Sequence, residues 1–303
     1  MRVTITGATG LIGPRLIRVL QERGDEVTVL TRNPEKAKAS LPGVEAVKWA
    51  DPTSEPAPVA ALAGRDAVVH LAGEPVAQRW NDDVKRKIND SREHGTRNLV
   101  AAMRAADPAP KVLVSSSAVG YYGPHGTEEL PEETPPGDDF LSQVCVTWEA
   151  EATKAEADGV RVVLVRTGIV LDEDGGALEK MLTPFKLGVG GPVAGGDQYM
   201  PWIHLDDLVG IYVKALDDAS WTGPVNGSAP KPVTNKAFSK ALGKALKRPA
   251  FSPVPAFAIK LLYGQMSEIV TKGQNAVPKR TQQLGYAFKH TEIESALRDA
   301  LGK

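Results

Sequence analysis

The sequence holds 303 residues, 42% apolar and 24% charged, the balance of an ordinary globular protein rather than a disordered or fibrous one. Lys and Arg number 36 against 37 Asp and Glu, a net charge of −1, which leaves no cationic excess to neutralise a nucleic-acid backbone. The single cysteine, Cys145, excludes an internal disulfide and a thiolate-built zinc site, and the five scattered histidines show no i, i+4 pair, so no metal is expected.

In chain order, Val3 to Thr6 is a β-branched run followed by glycines, and Leu11 to Arg23 carries helical spacing of apolar residues. After Gly24 and Asp25, Val27 to Leu30 reads as a second strand. Asp66 to Leu71 and Lys111 to Ser115 follow as short apolar strands, with a helix closing over Asn98 to Ala106 between them. Trp148 to Ala157 forms a further helix before Gly159, and Val160 to Val165 is a further strand. Such alternation implies an α/β, Rossmann-type, doubly wound parallel sheet with right-handed crossovers.

The pattern changes after Gly168. Gly and Pro crowd between Gly188 and Pro201, which is loop chemistry of the kind that faces substrates. Val209 to Leu216 returns to helical spacing, Pro224 to Asn226 reads as a last strand, and Asn235 to Leu246 and Ile293 to Leu301 are amphipathic helices. The expected division is a dinucleotide-binding domain over 1–170, with 205–228 packing back onto it, and a smaller C-terminal α/β lobe over 171–303. The N-terminus has no signal-peptide pattern, and no apolar run is long enough to span a bilayer, so a cytoplasmic protein with no membrane partner is expected.

Thr6-Gly7-Ala8-Thr9-Gly10-Leu11-Ile12-Gly13 sets three glycines between a strand and a helix. Glycine there permits a sharp turn, lets backbone approach a pyrophosphate and lets the helix pack on the strand, while the helix N-terminus offers unpaired N–H donors. At the end of the second strand, Val29-Leu30-Thr31-Arg32-Asn33 has no acid for a ribose diol. Arg32 suits a 2′-phosphate, which a carboxylate would repel, so NADP(H) is expected rather than NAD(H). The alternative for Arg32 is a solvated surface residue.

With that loop, the run His70-Leu71-Ala72-Gly73 and the run Ser115-Ser116-Ser117-Ala118-Val119-Gly120-Tyr121-Tyr122-Gly123, the chain resembles the extended short-chain dehydrogenase/reductase superfamily. Ser91 to Thr96, Pro201-Trp202-Ile203-His204-Leu205-Asp206-Asp207 and Gly273 to Arg280 resemble its atypical epimerase/dehydratase-like branch, sometimes mislabelled as cell-division inhibitors. The resemblance implies that Gly7, Thr9, Gly10, Leu11, Ile12 and Gly13 cradle the pyrophosphate and that Arg32 meets the 2′-phosphate. It also implies that Leu71, Ala72 and Gly73 line the ribose and adenine side and that Asp51 reaches the adenine. Arg92 stands where related enzymes commonly carry asparagine, which favours an anionic neighbour.

The superfamily's usual proton-transfer pair, a tyrosine four residues before a lysine, is missing from Asp139 to Glu149. One register puts Leu141 and Cys145 on that pair, another puts Cys145 and Glu149 there. Ser117 takes the position of the superfamily's serine, and Tyr121 and Tyr122 are candidate proton donors, with Arg92 as a cation to lower a phenol pKa. Against that, buried tyrosines commonly just pack, Cys145 reads as a small buried hydrophobe, and His204 holds its loop through Asp206 or Asp207. Tyr199, Met200, Pro201 and Trp202 read as pocket wall, closed opposite by Trp80 with Lys85 and Arg92; Lys85-Arg86-Lys87 reads equally as a solvated helix face.

Two functions follow: an NADP(H)-dependent oxidoreductase or epimerase-like enzyme on a small polar substrate, or a non-catalytic NADP(H)-responsive sensor. Ser117 and the tyrosines favour the first, the missing pair the second.

Overall fold

All four side chains of Val3–Thr6 are buried, so the period-two alternation of a half-exposed strand is absent and both faces must be covered. The computed structural model, which describes residues 1–303, shows how. Seven parallel strands form the main sheet: β1 Arg2–Thr6, β2 Glu26–Thr31, β3 Glu45–Lys48, β4 Ala67–His70, β5 Val112–Ala118, β6 Arg161–Thr167 and β7 Gly223–Gly227. Their spatial order is β7-β6-β5-β4-β1-β2-β3, with Ile5 of β1 opposite Val29 of β2 and Val69 of β4. The order reverses between β1 and β4, so a crevice opens beyond the carboxyl ends of those strands.

The helices are α1 Gly13–Glu22, α2 Pro34–Ser40, α3 Asp82–Ala105, α4 Phe140–Thr153, α5 Gly176–Lys186, α6 Leu205–Asp217, α7 Asn235–Leu246, α8 Ala256–Tyr263, α9 Ser267–Thr271, α10 Lys279–Gln283 and α11 Ile293–Ala300. Leu16 and Leu20 of α1 and Leu208 and Ile211 of α6 pack on one face of the sheet with Ile5, Val29 and Val165. Leu99 and Met103 of α3 and Ala152 of α4 cover the other with Val68, Leu113 and Leu164. A separate core gathers Leu178, Phe238, Leu242 and Leu297 around Trp202.

Five elements differ from expectation. α3 begins sixteen residues before Asn98, where Asn81 Oδ1 accepts the Val84 N–H at 2.8 Å. α4 begins eight residues before Trp148, capped by Asp139, whose Oδ1 accepts the Ser142 N–H at 2.8 Å. α5, α8 and α9 are not expected at all; in α5, Gly176 at the start and Pro184 inside obscure the helical period.

Residues far along the chain return to the main sheet. β7 completes it by pairing with β6, Val225 opposite Val165. Asn275–Ala276 pairs with Glu129–Leu130. Glu132, 3% exposed, accepts N–H bonds from Asn226 (3.0 Å), Arg280 (2.9 Å) and Thr281 (3.1 Å). Asp207 likewise accepts from Lys289 at 2.8 Å and His290 at 2.9 Å. No helix is long and apolar enough to cross a membrane.

Candidate functional site

The Gly-rich turn lies at the reversal point. Gly7 has φ +66°, and a Cβ there would stand 2.6 Å from the Leu71 carbonyl carbon and the Ala72 nitrogen. A Cβ at Gly13 would stand 2.0 Å from the Ala8 oxygen, so these two glycines are required by packing alone. Gly10 is different: a Cβ there would meet only the Gly7 oxygen, at 3.3 Å, and Thr9 and Gly10 face solvent. Leu11 and Ile12 N–H make no hydrogen bond within the chain, and α1 has neither a capping side chain nor an acid in its first turn. The positive helix end is thus open over a surface that only glycine leaves vacant, an arrangement that fits a pyrophosphate.

Arg32 follows β2 directly, is exposed, and makes no ion pair or hydrogen bond with any other residue, so its guanidinium is available to a ligand. Asp51 is exposed and engaged: Oδ1 accepts the N–H (3.0 Å) and hydroxyl (2.7 Å) of Thr53, which hold its carboxyl below the usual range. Leu71, Ala72 and Gly73 lead out of β4, and Ala72 N–H donates to Thr6 Oγ1 at 3.3 Å. The same hydroxyl lies 2.6 Å from His70 Nδ1, and His70 Nε2 lies 3.0 Å from Thr96 Oγ1. Burial, and secondarily the charge of Arg92, push the His70 pKa down to about 4, so the ring is neutral.

Beside this turn lies a cavity of about 490 Å³, walled mostly by apolar and aromatic side chains. Trp80, Lys85 and Arg92 line it from α3 and the segment before it; Phe140, Leu141, Cys145 and Trp148 from α4; Met181 from α5; and Tyr199 and Ile269 from the far side. Residues 141, 144, 145 and 148 follow helical spacing, so one face of α4 is turned to the cavity. Leu141 and Cys145 therefore both face it. Burial, then the Glu149 charge, push the Cys145 thiol up to about 12, so it is no thiolate.

Of the residues expected at the pocket, Trp80, Arg92 and Tyr199 line it, but Trp202 and His204 do not. Trp202 is fully buried in the C-terminal core, its Nε1 donating to the Lys231 oxygen at 3.0 Å. His204 caps α6: its Nδ1 accepts the Asp206 N–H at 3.1 Å, a bond to one of the two expected aspartates, made through its backbone. Its ring stacks on His290 at 3.8 Å, and Nε2 lies 3.2 Å from Asp299 Oδ2. His204, Asp206, His290 and Asp299 could bring four metal-ligating atoms within 4.8 Å of one another. With Nδ1 accepting, however, the neutral His204 ring carries its proton on Nε2, so that nitrogen is no ligand in this state, and it makes no hydrogen bond despite the nearby Asp299.

Ser117 and Tyr122 are held in a buried network instead of at the cavity, while half-buried Tyr121 packs against that network with its hydroxyl unbonded. Ser117 Oγ donates to Glu149 Oε1 at 2.6 Å, and Arg166 binds both oxygens of Glu149 at 2.8 Å. Burial opposes the Arg166 charge, but Glu149 more than offsets it and raises the guanidinium above its ordinary value. Tyr122 is fully buried, donates to Asn226 Oδ1 at 2.7 Å, accepts from Arg166 at 3.1 Å, and is pushed up to about 12 by burial despite that cation. Arg166 stacks 3.4 Å from the ring centroid of Tyr121. The cation beside the tyrosines is thus Arg166, not Arg92. Its signal in the sequence is a charge set directly after the apolar run Val162 to Val165. Phe140 and Trp148 were also legible as cavity wall from the 141/144/145/148 stripe between them.

A family profile described as the NAD dependent epimerase/dehydratase family matches residues 3–225, and one described as a domain of unknown function (DUF1731) matches residues 254–300. The epimerase family protein SDR39U1 homolog of Arabidopsis thaliana, described as chloroplastic, is 41% identical over 308 residues, covering 98% of this chain and 86% of that protein. The crystal structure of human epimerase family protein SDR39U1 (isoform2) with NADPH is similar over 100% of both chains, with a TM-score of 0.90 at 37% identity. A nucleoside-diphosphate sugar epimerase from Corynebacterium glutamicum matches 100% of this chain and 58% of its own, with a TM-score of 0.80 at 34% identity. A profile match over most of the chain, joined by full-length relatives at this identity, means that the chain belongs to the NAD-dependent epimerase/dehydratase family.

Proposed function

We propose that the chain is an NADP(H)-dependent oxidoreductase or epimerase-like enzyme, with the nucleotide across the Thr6 to Gly13 turn and the substrate in the adjoining cavity. The observation that carries this reading is Arg32, a cation with no internal partner at the end of β2, beside a helix N-terminus whose N–H groups are open. Gly7, Thr9, Gly10, Leu11, Ile12 and Gly13 would hold the pyrophosphate, Arg32 the 2′-phosphate, and Leu71 to Gly73 the ribose side. Asp51 would reach the adenine through Oδ2, which its Thr53 bonds leave free. The human relative solved with NADPH supports the same choice of nucleotide. When bound, the cofactor would supply or accept hydride; the chain's own part is to orient the reactants and exclude water within a largely apolar cavity.

A non-catalytic NADP(H)-responsive protein is the second reading, and one observation favours it. Ser117 and Tyr122 are occupied by Glu149, Arg166 and Asn226, and neither lines the cavity. Turnover of NADPH against a panel of aldehydes, ketones, quinones and nucleotide sugars, followed in the near ultraviolet, separates the two: silence across the panel favours the sensor.

The cofactor assignment is tested by thermal shift with NADPH, NADP⁺, NADH and NAD⁺ on the wild type and on Arg32→Ala. A ligand held only by the native state stabilises by about 2.7 kcal/mol at a hundred times its Kd. The phosphorylated nucleotides should stabilise more strongly, and Arg32→Ala should erase the preference. If none of the four shifts the transition, the turn is only structural and both readings fall.

A further inference from the structure

The cavity contains two cations with no carboxylate bonded to them; Glu74 acts on Arg92 only from beyond ion-pair distance. Arg92 is drawn well into the protein, where burial pulls its guanidinium below the ordinary value, yet no carboxylate lies within 4 Å of it. Only Nη1 is bonded, to the carbonyl oxygens of Glu74 (3.0 Å) and Ile88 (3.1 Å). Its charge lies 4.9 Å from the ring centroid of Trp148. The indole Nε1 of Trp148, itself 5% exposed, has no hydrogen-bond partner. Lys85 repeats the arrangement nearer the mouth, its Nζ 5.2 Å from the Phe140 centroid and 5.9 Å from that of Trp80, with no acid paired to it. A desolvated cation with a free donor edge is costly to keep unless an anion completes it.

The polar side chains that a sugar would need are mostly committed elsewhere. Asp139 accepts from the Ser142 N–H and hydroxyl, and Gln198 Nε2 donates to the oxygens of Val193 and Val270, both at 3.0 Å. Asn235 bonds the Val193 N–H at 2.8 Å and the Met200 sulfur at 3.2 Å. What remains open to a ligand is mostly aromatic and aliphatic surface with positive charge at one wall, together with the side-chain amides of Gln265 and Gln274.

We propose that this cavity binds a planar, mostly apolar ring carrying a single anionic group, with the anion on the free edge of Arg92 and the ring among Trp80, Phe140 and Trp148. Lys85 draws the anion in at the mouth. This rests on the reading of the cavity as the substrate site, and it narrows that site's ligand from a polar metabolite to an aromatic monoanion. A guanidinium accepts a carboxylate through two parallel N–H bonds, and aromatic walls reward a flat partner over a puckered, hydroxylated one.

The test is titration calorimetry on the full chain, alone and saturated with NADPH, using 2-naphthoate, its neutral isostere 2-naphthamide, and UDP-glucose. The naphthoate should bind at least tenfold more tightly than the amide and more tightly than UDP-glucose. Lys85→Gln should weaken naphthoate severalfold while leaving the amide unchanged, and Arg92→Gln should abolish the acid's advantage. Arg92→Gln also disturbs the Glu74 and Ile88 contacts, so if it does not fold the wild-type acid-to-amide ratio and Lys85→Gln decide the matter. Equal binding of acid and amide, or tighter binding of UDP-glucose, overturns the proposal. NADPH binding without acid discrimination would remove the ligand class and leave the cofactor reading standing; failure of NADPH to bind would remove the reading itself.

Discussion

Replacing His70 by glutamine should flatten the acid limb of the stability curve. In the folded chain His70 is fully buried between Thr6 and Thr96 and titrates near 4, against 6.5 for the exposed ring. As pH falls below 6.5 the unfolded chain takes up a proton that the folded chain refuses, so stability contributed by the neutral ring is present above 6.5 and is lost progressively toward 4. Those two values give a loss of about 2 kcal/mol between pH 7.5 and pH 5, and roughly 3 kcal/mol once pH has fallen to 4. Urea denaturation of wild type and His70→Gln at pH 7.5 and pH 5.0 measures it. The variant should start about 1–3 kcal/mol less stable at pH 7.5, from disturbed hydrogen bonds, and should then lose about 2 kcal/mol less than wild type on acidification. His204, also held below its ordinary value by burial and by His290, is present in both proteins and cancels in the comparison. Equal acid losses in the two proteins would show that His70 keeps an ordinary pKa and that its burial is relieved on protonation.

The glycines of the turn should separate by role. Gly10→Ala should keep stability within about 1 kcal/mol while NADPH affinity falls tenfold or more, whereas Gly13→Ala, aimed at the Ala8 oxygen, should lose about 3 kcal/mol or more of stability with or without nucleotide; calorimetry and urea denaturation read the two effects. The buried network should behave as structure: Glu149→Gln leaves Arg166 without its anion and should cost about 3–5 kcal/mol. Ser117→Ala should cost about 1–3 kcal/mol and leave NADPH affinity unchanged; a tenfold change in affinity would instead place Ser117 in contact with the nucleotide.

The first strand, turn and helix were legible because three signals agree there: β-branched residues, glycine spacing, and an apolar helical stripe from Leu16 to Leu20. Boundaries were less so. Asp139 to Glu149 lacks the superfamily's tyrosine and lysine, yet residues 141, 144, 145 and 148 in it share one helical stripe, and Asp139 is an ordinary cap. Trp202 and His204 sit in a run that reads like pocket wall, yet both belong to a short strand, Trp202–His204, buried against Ile169–Leu171. One sequence does not show which face of so short a strand a neighbouring lobe will cover. Ser117 and the tyrosines were found by position, but their partners Glu149, Arg166 and Asn226 come from three other elements, and only the folded chain brings these together.

The buried carboxylate of Glu132 is satisfied by amides made about 150 residues later, at Arg280 and Thr281. During synthesis, therefore, that carboxylate gains its first partner when Asn226 emerges, and its last ones, together with the match for the edge at Glu129–Leu130, only with residues 275–281. The segment around Glu132 cannot finish folding as it is made. Its interval of exposure is set by translation speed, and a chaperone that shields this edge would act on the longest-lived incomplete state.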